Sequence, residues 1–302
     1  DDNAHSRNGG LSVACALNDG GRKPVRALIS FTDDDCRKEV YYRVDANKPS
    51  LFEVIQNYNI PYTLTCPPGN IRPTGNPKDD PNDDKYLTWT DVKAMYHAGV
   101  AIACHHWRQY NMDDTGWYPT IDSYAADLQQ CMDKFAEQGI DVQGVAYPQG
   151  KYVPEYIPAV KNHYHFGLTV DRGINRSPYA AYYLNRCEVF PDTSAYKNDP
   201  TLALKEAKAR VDDVAQNGGW LIFMTHAWYE TFNAADLGAL IEYIQSQGIE
   251  IVSVADALKA KAGVTIDKRK IVISDPIKNV GTYTVTCKLG YEITAPLTVK
   301  IE

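Results

Sequence analysis

The sequence lacks any apolar run long enough to cross a bilayer, which leaves no candidate transmembrane helix. It is poor in positive charge: 31 Lys and Arg stand against 38 Asp and Glu, a formal net charge of −7. That balance gives no basic groove for nucleic acid and no polybasic membrane patch, so neither partner is expected. None of the seven cysteines (Cys15, Cys36, Cys66, Cys104, Cys131, Cys187 and Cys287) has a close-spaced mate. An odd number at such spacings is neither a zinc ribbon nor a disulfide scaffold, and reads as reduced thiols in a core. The first residues, Asp1-Asp2-Asn3, carry no basic and apolar export pattern and no initiating Met, so an upstream segment is expected to be missing from the sequence. No Gly-x-Ser-x-Gly run is present, which argues against a serine hydrolase.

What is there is a chain of 302 residues, 44% hydrophobic, sufficient for one large core and a small appendage. Residues 1–24 are polar and glycine-rich and read as an extended lead-in. From residue 25 to about 262, short apolar runs alternate with amphipathic stretches. Val25–Phe31, Pro61–Thr65, Val100–Cys104, Val142–Tyr147, Phe166–Val170, Trp220–Thr225 and Ile249–Ser253 are strand candidates. Helices are expected from Ser50 (with Glu53 completing a capping box) to Tyr58, from Thr90 to Gly99, over Thr120–Gln138, from Asp199-Pro200 to Gly218-Gly219, and over Asn233–Gln247. Residues 67–87, rich in Pro, Gly, Asn and Asp, read as a long loop. Regular strand–helix alternation implies an α/β fold with a parallel sheet closed into a barrel. Residues 263–302 change character to Val, Ile and Thr with turn signals, and read as a small antiparallel β module.

In parallel α/β folds the reactive side chains follow the C-terminal ends of strands. Five strand ends carry suggestive residues: Asp33-Asp34-Asp35, His105 to Gln109, Pro148-Gln149-Gly150, Asp171-Arg172-Gly173, and His226-Ala227-Trp228. Singly, each is as well explained by a solvated turn, a helix cap or a satisfied histidine. Their order is more informative. Ser30-Phe31-Thr32-Asp33-Asp34-Asp35, Cys104-His105-His106-Trp107, Ala146-Tyr147-Pro148-Gln149-Gly150, Asn185-Arg186-Cys187 and Met224-Thr225-His226 together resemble, over residues 25–260, the polysaccharide deacetylases of the NodB-homology carbohydrate esterase family.

That resemblance implies a distorted (β/α) barrel and a hydrolase that removes N- or O-linked acetyl groups from an acetylated glycan. It implies one divalent ion, zinc foremost and other divalent ions as alternatives. By resemblance Asp33 is the general base, Asp34 and His105 hold the ion, His226 is the general acid, and Arg186 orients Asp33. Tyr147 is an oxyanion donor, while Trp107, Trp228 and Tyr229 offer a sugar platform. The second motif departs from the family: Gln109 stands where a second histidine would complete the ion's ligands, and a neutral amide oxygen is a poor substitute for imidazole on zinc. The protein is expected outside the cell or at the cell envelope, with association with a virion and other domains of a longer chain as further expectations. The competing reading is a glycan-binding or attachment protein, on the same fold, that has lost turnover.

Overall fold

A computed structural model describes residues 26–73 and 85–259, and beyond them the backbone of three strands within 271–301. The lead-in at 1–24 and residues 74–84 of the long loop lie outside the described residues. The chain divides into two compact units, residues 1–257 and 258–302.

In the first unit eight strands form one parallel sheet: β1 (Ala27–Asp33), β2 (Thr63–Cys66), β3 (Ala101–Cys104), β4 (Gly144–Ala146), β5 (Phe166–Leu168), β6 (Cys187–Glu188), β7 (Gly219–Thr225) and β8 (Glu250–Ile251). Their order is β5-β4-β3-β2-β1-β7-β6, and β8 pairs with the first half of β1 at Leu28 and Ile29. The sheet curls into a distorted barrel. Its closure is made by one segment: Leu184 bridges to Leu168 of β5, and three residues later Cys187 and Glu188 pair with Phe223 and Met224 of β7. Arg186 lies within that closing segment.

Helices α1 (Leu51–Tyr58), α2 (Trp89–His97), α3 (Ile121–Glu137), α4 (Ile157–His163), α5 (Ser194–Asn198), α6 (Leu202–Asn217), α7 (Ala234–Ser246) and α8 (Val254–Lys259) connect the strands. Their starts are written locally. Ser50, Thr120 and Asn233 accept backbone N–H groups of the first turn, as their positions in the sequence foretell; each such cap contributes about 1 kcal/mol. Two starts differ from the sequence reading. Thr88, not Thr90, caps α2, because Asp91 sits three residues on and returns the bond to the Thr88 N–H. Asp199 closes α5 rather than opening α6; its side chain accepts from Thr201, and α6 begins at Leu202.

Strand periodicity sorts the core into two layers. On β1, Ile29 and Phe31 join the apolar cluster shared with the helices, where Phe31 stacks on Tyr62 and Phe223. Burying each such ring contributes roughly 1.5–3 kcal/mol. The alternate residues face the barrel interior, where Ser30 accepts from Trp220 Nε1 and Thr32 from Arg186. The five cysteines whose side chains are described are all free and buried.

The second unit contains a three-stranded antiparallel sheet in the order β11-β10-β9, made of β9 (Ile271–Val272), β10 (Gly281–Gly290) and β11 (Ile293–Ile301). No described helix is long and apolar enough to cross a membrane.

Candidate active site

The C-terminal ends of β1, β3, β6 and β7 surround a cavity of about 470 Å³, lined by Asp34, Asp35, His105, Gln109, Gln149, Glu188, His226 and Tyr229 among others.

Asp34 is the most firmly held of these groups. Arg186, fully buried, grips both its oxygens (Nη1 to Oδ1 2.6 Å, Nη2 to Oδ2 2.8 Å), and Thr65 donates to Oδ1 at 2.9 Å. Burial alone would raise this carboxyl; Arg186 and then His105 outweigh it and hold it well below the usual carboxylate range. Arg186 itself is anchored by the Thr169 carbonyl at 2.7 Å. The expectation that Arg186 orients Asp33 is therefore corrected: the arginine pairs with Asp34.

Asp33 is not a cavity residue. Neighbours on a strand point to opposite faces, so Asp33 lies with Ile29 and Phe31 on the helix-facing side. It is fully buried, and one oxygen, Oδ2, accepts from Thr225 Oγ1 (2.8 Å) and the Ala227 N–H (2.9 Å). Burial pushes its carboxyl well above the ordinary range, with His226 opposing. The expected cluster of Asp33, Asp34, His105 and His226 thus forms with Asp35 in place of Asp33. Asp35 takes a left-handed backbone (φ 80°), a conformation aspartate tolerates.

Asp35 faces His105. The His105 Nδ1 donates to the Ala146 carbonyl at 2.9 Å, which leaves Nε2 as a lone pair, 3.5 Å from Asp35 Oδ1. The two groups facing each other suit a positive charge between them, either a proton on the imidazole or a bound ion. Their spacing suits two ligands each about 2.0–2.2 Å from one ion. The third candidate, Gln109, turns its amide nitrogen onto Asp35 Oδ1, while its oxygen accepts from Tyr86 (3.0 Å) and Asn70 (3.3 Å). Among the described residues no three His, Cys, Asp or Glu side chains come together as a metal-binding group. The donor set offers an ion one carboxylate and one imidazole; Gln109, its oxygen turned to Tyr86 and Asn70, gives no third ligand in this arrangement.

His226 stands across the cavity. Its Nδ1 is 2.9 Å from Glu188 Oε1, and the Tyr229 ring stacks on it at 4.4 Å between centroids. Burial would lower this imidazole, but the Glu188 bond, followed by the three aspartates, raises it above its ordinary value. Glu188 was not anticipated from the sequence. The signal was available: it lies two residues after Arg186 in an extended segment, so both side chains share a face.

Trp228 is partly exposed and donates from Nε1 to Asp35 Oδ2 at 2.8 Å; the Arg37 guanidinium packs over its ring. Trp228 and Tyr229 thus stand at the site. Trp107 and Tyr147 do not line it. Trp107 is turned toward a groove beside α3, its carbonyl held by the Gly69 N–H. Tyr147 is fully buried, its hydroxyl donating to the Tyr182 carbonyl, and a side chain at Gly167 would collide with it. Its backbone N–H is occupied by the Leu168 carbonyl, so no oxyanion donor comes from this residue. His106 points away from His105 into the core, bonded to the Tyr110 carbonyl and the Tyr124 hydroxyl.

Comparison with solved structures shows the same fold. A Pseudomonas aeruginosa PAO1 protein described as a probable polysaccharide deacetylase superposes with a TM-score of 0.55 over 78% of this chain and 91% of its own, at 12% identity. The chitin deacetylase of the fungal pathogen Colletotrichum lindemuthianum gives 0.51 over 77% and 87%, at 13% identity. The Puue allantoinase gives 0.53 over 80% and 93%, also at 13%. The barrel therefore has the fold of the polysaccharide deacetylases, the α/β architecture expected from its motifs. The other unit is similar to something else: residues 248–302 match the family of the ribosomal protein L9 C-terminal domain. The large ribosomal subunit protein bL9 of Lachnoclostridium phytofermentans is 55% identical over 49 residues, 16% of this chain and 33% of that protein. That of Desulforamulus reducens is 41% identical over 66 residues, 22% and 41% respectively. The chain thus spans only a third to two fifths of the length of these relatives. This likeness was not read from the sequence, where the segment showed only its strand character.

Proposed function

We propose that the barrel is a hydrolase that removes acetyl groups from a glycan, with the working residues one position later along β1 than the motif alone suggests. Asp34 is the general base, held ionised and oriented by Arg186. Asp35 and His105, with Gln109 beside them, are the residues that would hold a divalent ion. Such an ion supplies Lewis-acid polarisation of the acetyl carbonyl and acidifies water. His226, whose charged form the Glu188 bond favours, is the general acid that delivers a proton to the departing amine or alcohol. Trp228 and Tyr229 offer ring faces for a sugar at the rim.

The observation that carries this reading is the convergence, in one cavity, of an arginine-clamped carboxylate, a carboxylate facing an imidazole lone pair, and a carboxylate-backed histidine. Proteins titled polysaccharide and chitin deacetylase share the fold, which supports the substrate class. The test is acetate release from N- and O-acetylated oligosaccharides by the whole chain, with and without added zinc. Release that requires Asp34 and His226 is expected; no release at any metal concentration counts against it.

One observation favours a second reading. The Gln109 amide donates to Asp35 where an ion's charge would otherwise sit, which suits a glycan-binding protein without turnover. Retained glycan binding with no acetate from the intact chain would select it. In either case a location outside the cell or at the envelope remains part of the proposal, checked by fractionation.

The appended unit has eight Lys and Arg against four Asp and Glu in a chain whose net charge is −7. That excess, with its likeness to part of a ribosomal protein, supports a binding role separate from the hydrolysis.

A further inference from the structure

The reaction outlined above leaves one buried carboxyl without a task. Asp33 is fully enclosed on the helix-facing side of β1, and its Oδ1 has no hydrogen-bond partner among the described residues. Burying a carboxyl in this way is costly unless it is well bonded, and an apolar residue would fill the layer beside Phe31 without that cost.

Its bonds point to what it does. Asp33 Oδ2 accepts from Thr225 Oγ1 and from the Ala227 N–H, the residues immediately before and after His226. Thr225 is tied in turn to Tyr62, whose hydroxyl lies 2.6 Å from Thr225 Oγ1 and 3.3 Å from the Thr32 carbonyl. The last residue of β1 and a tyrosine of the loop into β2 therefore grip the main chain on both sides of His226 from behind. On the cavity side the imidazole is held by a bond from Nδ1 to Glu188 and by the stacked Tyr229 ring, contacts that fix the ring but not the main chain that carries it. The strand ends at Thr225, and the turn after it is closed by the Tyr229 N–H on the His226 carbonyl (3.0 Å); the bonds to Asp33 tie that turn to β1.

We propose that Asp33, with Thr225 and Tyr62, is a positioning device for the general acid: it fixes the main chain around His226 so that the imidazole meets the leaving group. This rests on the hydrolase reading above for its catalytic consequence, but its structural core stands apart from it.

The prediction separates positioning from mere folding through the leaving group. An amide must have its nitrogen protonated as it departs, whereas 4-nitrophenolate leaves without help. Asp33→Leu removes both acceptor bonds. It is expected to lower kcat on an N-acetylglucosamine oligomer by roughly 100-fold, the scale of lost general-acid catalysis, with KM little changed, while hydrolysis of 4-nitrophenyl acetate changes by less than about threefold. Asp33→Asn keeps an acceptor oxygen and is expected to recover most of the amide activity. Equal losses on both substrates would overturn the proposal by making Asp33 a folding residue; abolition by Asp33→Asn would overturn it by making Asp33 the base. Amide hydrogen exchange at Ala227, followed by NMR, needs no turnover. Exchange should quicken in Asp33→Leu relative to neighbouring β7 amides, and an unchanged Ala227 rate would refute the clamp even if the wild-type chain proved inactive. A wild-type chain that releases no acetate while Ala227 behaves as expected instead removes the hydrolase reading and leaves the clamp as structure.

Discussion

The two faces of β1 carry the same kinds of residue to opposite ends. Inward, Ser30, Thr32 and Asp34 form a polar column that ends in a carboxylate neutralised by Arg186 and open to a cavity. On the other face Ile29, Phe31 and Asp33 form a column that is apolar until its last residue, whose carboxyl is closed off from solvent. Asp33 and Asp34 are chemically identical and adjacent, yet burial pushes one carboxyl up and an arginine holds the other down. A motif of consecutive aspartates therefore does not assign roles; the parity of the strand does.

Five changes would break or sharpen that contrast. Removing the arginine should have the largest effect. Arg186→Met leaves Asp34 buried without its partner, and breaking a buried pair costs about 3–5 kcal/mol; urea unfolding should show this as a lower midpoint. An unchanged midpoint would mean that Asp34 is solvated after all. Next, Asp34→Asn should lower acetate release by about 10²–10⁴-fold, as expected for loss of a general base. Asp33→Asn should stay within about tenfold of the wild type, since the group it replaces only accepts two bonds. The reverse ranking would restore Asp33 to the role the motif suggested.

Gln109→His supplies the imidazole that the second motif lacks. It should tighten zinc binding by about 10–100-fold in a competition titration, comparable to other changes around metal ligands. No gain would show that the left-handed turn at Gln109 (φ 63°) aims the side chain past the ion.

The smallest change concerns pH. Glu188 raises the His226 imidazole, and a general acid works only while protonated, so activity should fall as pH rises through the raised value. Glu188→Gln withdraws the main support for the charged form. The alkaline limb of kcat/KM should then move to lower pH, with a few-fold loss at neutral pH. A limb that stays in place would mean that another group sets it.

Much of the barrel was legible because its signals are local. Ser50, Thr120 and Asn233 announce helix starts, and Gly99, Gly139, Gly218 and Gly248 mark the ends with positive φ that glycine adopts freely. The alternation of strands and helices gave the sheet, and the order of strand ends gave the mouth of the site. The structure brings His105, His226, Trp228 and Tyr229 to that mouth. Trp107 and Tyr147 lie elsewhere, since aromatic character alone says nothing about which way a ring turns. Glu188 went unnoticed although its two-residue spacing from Arg186 puts it on the same face of an extended segment.

The sequence by itself determined where the elements begin and end, because caps, glycines and apolar periods act within a few residues. It also determined that carboxylates and histidines would gather at the strand ends, because a parallel sheet puts every such end on one side. Only the tertiary structure decided which aspartate meets Arg186, since that depends on how a strand 152 residues away closes the barrel. It decided as well that Gln109 turns its amide onto Asp35, an outcome of loop geometry and long-range contacts with Tyr86 and Asn70 that no local pattern encodes.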